Sequence, residues 1–396
     1  MRNNMSTKIR KIIKQTVFFR ETNRIIYDKN IFLLVLIAPV IYVFFYGSVF
    51  VNNTPHHLTV GIIDRDQSSL SMMLKQYCHA DPILHIIPYQ SVNDAKKDLE
   101  LQKISAYMYI PNDFEKKIKR GGRSVYGLYV TTFNFMQANE VTKHLLQING
   151  TIGAQIDAKF LLAKNYSKKQ ALKSGIPVRS DVNSLGNSVY GYGNFVLIGL
   201  FILILQQLML LGISESVARE RQDETFWDWY NHAGFNLFRM LTGKITPYLI
   251  FFMTYYIFYF TVPLYIFNLH QKANILHLIL LAVPFLITIS EMALLFGSFF
   301  KEKLQALQVL ALTSVPFFLV CGYAWPFFNL HPALKILSFL FPTYFMMTAF
   351  QSMTQIGASL SDQIFNYSVL FLQSAFYCAL VIWRYKTMIK KEESNQ

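Results

Sequence analysis

The chain has 396 residues, 53% of them hydrophobic and only 15% charged, with 35 Phe and 23 Tyr. That balance excludes both an ordinary set of soluble domains and a disordered chain, and points to a protein of the bilayer. The formal charge of +14 would suit a nucleic-acid partner, but its share flanking the apolar runs is explained by topology and anionic lipid, so no nucleic-acid partner is expected.

The first 30 residues carry eight of the 37 basic residues. In "KIRKIIKQTVFF", Ile9, Ile12, Ile13, Thr16 and Val17 fall on one helical face while Lys8, Lys11 and Lys14 fall away from it. This predicts an amphipathic helix within 1–30, lying in the cytoplasmic interface. The uncharged run Ile31 to Val51 follows, and about 20 apolar residues suffice to cross the hydrocarbon layer. No small-residue cleavage site follows it in "GSVFVNNTPHH", so it is expected to be an anchor rather than a signal peptide.

Residues 52–191 read as an inserted α/β domain. "LTVGIID", "ILHIIPY", "ISAYMYI" and "VYGLYVTT" have strand character, and helical stretches such as "SSLSMMLKQY", "SVNDAKKDLELQ" and "NDFEKKIKRG" separate them. Alternation of this kind predicts a largely parallel sheet. A long helical stretch from Asn134 and a loop containing "GIPVRSDVNSLGNSVYGYG" complete the domain.

Five further spans are expected within 192–385. They are the uncharged runs Tyr192 to Ile213, Ile245 to Leu269, Leu304 to about Phe328 and Gln363 to Trp383, together with Ile275 to Phe300, which only Glu291 interrupts. A seventh run between Lys335 and Asp362 opens with "ILSFLFPTYF" and decays into polar residues. With Pro316, Pro326, Pro332 and Pro342 in and around it, the segment at about 328–350 reads as an external re-entrant hairpin. The expected fold is an α-helical polytopic membrane protein of six transmembrane helices plus that hairpin, with an inserted α/β extracytoplasmic domain.

Lys and Arg collect on the cytoplasmic side of short flanks. The loop 212–244 holds four, "KEK" at 301–303 two and the sequence after Trp383 four, whereas the opposite short loops hold only Lys272 and Lys335. Both termini, including the tail 386–396, are therefore expected in the cytoplasm, and an inside start with an inside end requires an even number of spans.

No phosphate-binding glycine loop is present, since "LTGK" at 241–244 lacks the first Gly and the Ser or Thr. No His-Glu-x-x-His or Cys-x-x-Cys occurs, and the neighbours His56 and His57 lack further metal ligands. Glu291 stands apart. It lies ten residues before Lys301, about 15 Å along a helix, which places it near mid-membrane, where a carboxylate is costly. Two readings stay open: a group on a pathway through the membrane, or a protonated side chain bonded to a neighbouring span through Gln206, Gln207 or a Tyr.

The second span is followed by "SVARERQDETFWDWY", expected as a cytoplasmic helix over 214–232. Its charges and aromatics suit docking of a cytoplasmic protein with Trp227 and Trp229 as anchors, or alternatively a headgroup-level aromatic belt. This stretch, "VGIIDRDQSSLS" at 60–71, "DAKKDLELQKISAYMYIPNDFEKKIKRG" at 94–121 and "PFFLVCGYAWPFFNLHPALKILSFLFPTYFM" at 316–346 together resemble the permease subunit of type-2 ABC exporters, in the branch with a large extracytoplasmic domain after the first span. In that family the segment after the second span carries Arg-Glu-Arg/Lys-Glu-x-Gly-Thr. Arg219, Glu220, Arg221 and Thr225 match it, while Gln222 stands where Glu is usual and Glu224 where Gly is.

The resemblance implies an efflux permease of the bacterial inner membrane that hydrolyses nothing itself. ATP and Mg would be bound by a separate ABC ATPase docked on Arg219, Glu220, Arg221, Glu224, Thr225, Trp227 and Trp229. A second permease copy or a homologue, lipid and a periplasmic membrane-fusion protein are the other implied partners. The rivals are a mechanical ABC subunit with four spans, a receptor-like scaffold and, using Glu291, a membrane-embedded enzyme.

Overall fold

The computed structural model describes residues 16–49, 57–120, 122, 124–130, 135–163, 192–267, 269, 271–322, 325 and 327–394. The chain divides into two units, 1–53 with 184–396, and 54–183. Residues 8–14 of the expected interface helix, the loop 164–191, His56 and Pro326 lie outside the described residues.

In the first unit, six described helices are long and apolar enough to cross a membrane: Lys29–Val49, Val196–Gln222, Leu237–Ile266, Ile275–Gly297, Lys303–Val320 and Ser361–Glu393. The second and fourth are enclosed by the others, and the remaining four bury a minor share of their apolar windows. Lipid is as apolar as the side chains, so such helices associate through close backbone approach and polar contacts. Gly297 shows this: a Cβ there would lie 2.9 Å from the Ser214 Cα and from Val217 Cβ, so only glycine lets the fourth span rest against the second.

Backbone groups freed by proline are satisfied from neighbouring spans, as hydrocarbon requires. The first span carries a π-helical turn at Leu33–Ile37 just before Pro39. Tyr255 and Tyr259 of the third span donate their hydroxyls to the Leu36 and Pro39 carbonyls at 3.1 and 2.6 Å. In the segment expected as a hairpin, a helix Pro332–Leu340 meets Pro342–Ile356 at 90°, the geometry of a re-entrant loop or of a broken span. Pro332 and Pro342 each open a helix, where the missing N–H is harmless. At the bend, Gln373 and Tyr377 of the sixth span donate to the Phe339 and Leu340 carbonyls, both at 2.8 Å. Pro316 lies in the first turn of Ser314–Val320, the last stretch of the fifth span.

The second unit holds a four-stranded sheet in the order β2-β1-β3-β4: β1 Leu58–Asp64, β2 Leu84–Pro88, β3 Ala106–Ile110 and β4 Gly127–Val130. β1 pairs in parallel with β2 and β3, and β4 closes the edge antiparallel to β3. Helices Ser69–Ala80 and Phe135–Ala163 cover one face over Val60, Ile62 and Met108. Ile63, Ala95, Ile104 and Tyr107 form a smaller core on the other.

The segment "DRDQSSLS" acts here as a corner brace. Asp64 accepts from the Asp66 and Gln67 amides at 3.1 and 3.0 Å, from Ser71 Oγ at 2.8 Å and from Lys75 at 2.7 Å. Asp66 takes the Phe114 and Glu115 amides at 2.9 and 3.0 Å, which caps the helix Phe114–Lys119.

Candidate functional site

The second span does not stop at Ile213. Its helix runs unbroken from Tyr192 to Gln222, because the polar residues after Ile213 face protein rather than water. Ser214 Oγ donates to the Ala293 carbonyl at 2.9 Å, and Ser216 Oγ donates to Glu21. The single helix expected over 214–232 is therefore two, a continuation of the span and a short helix Phe226–His232. They are separated by a turn in which Glu224 takes the left-handed conformation, φ 56°. That is the position where the resembled family has glycine, and left-handed backbone explains the preference.

The third span also starts early, at Leu237 rather than Ile245, and so takes Lys244 into its helix. An entry helix, Val17–Tyr27, packs against it. Gly243 allows the approach, for a Cβ there would come within 2.8 Å of Val17 Cβ. The stripe expected to meet lipid thus turns inward at Val17, along with Glu21 and Ile25.

These three helices enclose a cluster of charge. Glu220 is fully buried. Its two oxygens accept the two guanidinium nitrogens of Arg20, both at 2.7 Å, a bidentate geometry that sets orientation as well as strength. It also accepts from Arg24, from Thr225 Oγ1 at 2.6 Å and from Lys244 at 3.1 Å. Glu21, equally buried, accepts from Lys244 at 2.9 Å, from Tyr248 at 3.0 Å and from Ser216.

Two carboxylates thus face three cations, and each buried oxygen is answered. Burial alone would push the Glu21 carboxyl up, but Lys244 and Arg24 hold it below its ordinary value. Arg24 is likewise held more firmly protonated, since Glu21 and Glu220 outweigh its desolvation.

Arg221 points the other way. It donates to the Ser298 and Phe300 carbonyls at 2.8 and 3.2 Å, and Arg384 of the sixth span donates to Ser298 Oγ and its carbonyl, both at 3.1 Å. Two guanidiniums therefore meet the open carbonyl end of the fourth span, where cations are favoured. Gln222 accepts the Lys303 amide at 3.0 Å at the head of the fifth span. Arg219 pairs with Asp28 and, at 3.0 Å, with Asp223. The "ARERQ" stretch thus ties the second span to the entry helix and to the third, fourth and fifth spans.

The aromatic residues divide. Trp229 is fully buried, donates its indole N–H to the Met240 carbonyl at 3.2 Å, packs on Phe226 and Tyr385, and has the Lys244 ammonium 4.4 Å from its ring. Trp229 and Glu220, both expected on the docking face, are buried within the chain and form no part of its exposed surface. Trp227 is half-buried against Tyr230 and Phe235. Around it Asp223, Glu224, Asp228 and Phe235 are exposed.

Arg20, Glu21, Arg24, Lys244 and Tyr248 were not among the residues singled out by sequence. The available signal was Glu21 set among Arg20 and Arg24 at helical spacing just before a span, together with a lone Lys at the edge of an apolar run.

Glu291 sits on the fourth span and is 8% exposed. It accepts from Ser374 Oγ at 2.9 Å, with the Cys378 thiol its other hydrogen-bond partner. The glutamines expected as its partners are engaged elsewhere, Gln206 with Thr343 and Gln207 with the Leu310 carbonyl, both at 2.8 Å. Among the described residues no group of three or more His, Cys, Asp or Glu is placed to hold a metal ion.

No curated protein matches the sequence significantly. The family profile described as "ABC-2 family transporter protein" matches residues 29–383, from the first residue of the first span to the end of the uncharged run of the sixth. With six membrane-crossing helices and a match over most of its length, the chain belongs to the ABC-2 family of transporter proteins, the membrane component of transport systems that work with an ATPase component.

Proposed function

We propose that the chain is the permease of an ATP-driven exporter, that its charged helix ends face the cytoplasm, and that the ATPase docks on the turn and short helix 222–235. The observation that carries this reading is the buried cluster of Glu21, Glu220 and Lys244 with Arg20 and Arg24. It makes the entry helix and the second and third spans one mechanical piece at the foot of the docking face, so a push on that face reaches several spans at once. The exposed part of the face is aromatic at Trp227 and Phe235, rimmed by Asp223, Glu224 and Asp228, and it suits an apolar pocket with a basic edge. The substrate would be hydrophobic or amphipathic, moved by alternating access between two permease copies. Topology set by the Lys/Arg bias supports the inner membrane as location and an outward-facing α/β unit.

The test is co-purification of the ATPase with single variants, scored against the amount of permease in the same membranes. Phe235→Ala and Trp227→Ala should lose the ATPase at normal permease level. Trp229→Ala should instead lower the permease level itself. Retention of the ATPase by both Phe235→Ala and Trp227→Ala would refute the docking face.

A further inference from the structure

The third, fourth and sixth spans leave a cleft of about 470 Å³ between them, a size within the roughly 300–1,000 Å³ of small-molecule sites. Its walls are almost wholly apolar, with Leu241, Ile245 and Ile287 among them, and Glu291 and Cys378 line it as well. The hydroxyls of Thr242 and Thr246 on the same wall are turned back to the Phe238 and Thr242 carbonyls of their own helix, at 2.7 and 2.6 Å.

Among the described residues Glu291 is therefore the one carboxylate lining a cleft whose other polar groups are Cys378, the two turned-back threonines and Lys386. Among the described residues its partners are the neutral Ser374 and Cys378, and no Lys, Arg or His lies within ion-pair distance of it. This contrasts with Glu21 and Glu220, each of which the fold supplies with two or more cations. The cation that lines the same cleft, Lys386, lies eight residues beyond Cys378 on the sixth span, about 12 Å further along the helix.

We infer that this cleft binds a lipophilic organic cation, with its apolar body against the third and sixth spans and its positive centre beside Glu291. A fixed carboxylate in hydrocarbon is costly without a partner, and a cation that brings its own apolar shell supplies the charge without needing water. A neutral lipid chain would fill the same volume but leave the carboxylate unanswered. The inference rests on the transport reading for its purpose, since it gives the charge class of the substrate, but the binding itself requires only the folded permease.

Tetraphenylphosphonium and tetraphenylborate, alike in shape and opposite in charge, are the probes. The full chain, purified and reconstituted without ATPase in discs of phosphatidylcholine, should bind tetraphenylphosphonium saturably and in preference to tetraphenylborate. Glu291→Gln should weaken the cation by roughly tenfold or more, the scale of losing a desolvated charge pairing, while leaving tetraphenylborate unweakened.

A second measurement needs no substitution. Cys378 is half-buried in the cleft wall while Cys78 and Cys321 are buried, so N-ethylmaleimide labelling read by peptide mass should be slowed at Cys378 by the cation alone. Undiminished cation affinity in Glu291→Gln, or no slowing at Cys378 in the unmutated chain, would overturn the inference, and equal protection by both probes would mean a cleft for apolar chains only. A permease that still retains its ATPase yet shows any of these results has lost the cation site and kept the transport reading.

Discussion

Replacing Glu220 by Gln keeps the shape of the side chain and removes one charge from a largely buried cluster. In the native protein two carboxylates share three cations, with Arg20 at 2.7 Å twice and Lys244 at 3.1 Å on Glu220 itself. After the change Arg20, Arg24 and Lys244 face Glu21 alone, and Lys244 is fully buried. Removing one partner of a buried ion pair costs about 3–5 kcal/mol, because the charge left behind has no water to return to.

Lys244→Met is the contrasting change. It leaves two carboxylates with two guanidiniums, a balanced set, and Glu21 keeps Arg24, Tyr248 and Ser216, so it should cost less than Glu220→Gln. The double variant should be more stable than Glu220→Gln alone, because the stranded ammonium is then gone, a departure from additivity of about 1–3 kcal/mol. The assay is the fraction of purified permease that stays monodisperse after heating, read as a rank order because unfolding in detergent is irreversible. The midpoint for Glu220→Gln should fall by roughly 10 °C, taking about 2–4 °C per kcal/mol. If Glu220→Gln proves no worse than Lys244→Met, or if the double variant is worse than either, the cluster is not the charge-balanced joint described here.

Three further outcomes are expected. Glu224→Gly should stabilise the turn by about 1 kcal/mol, because Glu224 sits at φ 56° where a side chain is penalised; an unchanged or lowered heat midpoint would count against the left-handed turn. Asp64 is held below the usual carboxylate value, burial being outweighed by Lys75, the Gln67 amide and Ser71. The brace should therefore be at full strength above the unfolded value near ~4 and be lost as pH falls through the lower folded value. Digestion of the α/β unit by pepsin between roughly pH 2 and 5 should show that loss in the native protein, while Asp64→Asn should be cut more readily at the upper end and change less across the range. Gly297→Leu should abolish accumulation of folded permease, since a Cβ there meets the Ser214 backbone at 2.9 Å; normal yield would mean the second and fourth spans can part.

Much of the architecture was legible because hydrocarbon imposes a simple rule on sequence. Apolar runs of sufficient length, one of them interrupted by Glu291, marked six helices able to cross a membrane, Pro332 and Pro342 marked the starts of the two helices that meet at 90°, and alternating strand and helix patterns marked the mostly parallel sheet of the inserted unit. These are properties of local composition and period, which a chain displays without folding. The span ends were not legible, since the helices run on to Gln222 and back to Leu237 through residues that read as solvent-facing. What charge and aromatic content at 214–232 could not show was direction.

Glu220 and Trp229 turn inward because Arg20, Arg24 and Lys244 arrive from helices remote in sequence to neutralise and cover them, whereas Glu224 and Asp228, without such partners among the described residues, stay at the surface. Glu291 follows the same logic from the other side: its spacing to Lys301 suggested mid-membrane, but the helix ends at Gly297, six residues beyond it, and the neutrality of its neighbours Ser374 and Cys378 exists only once the sixth span is packed against the fourth. Glu220 and Glu291 differ in the opposite charge that the fold brings within about 4 Å, and only tertiary packing sets that distance.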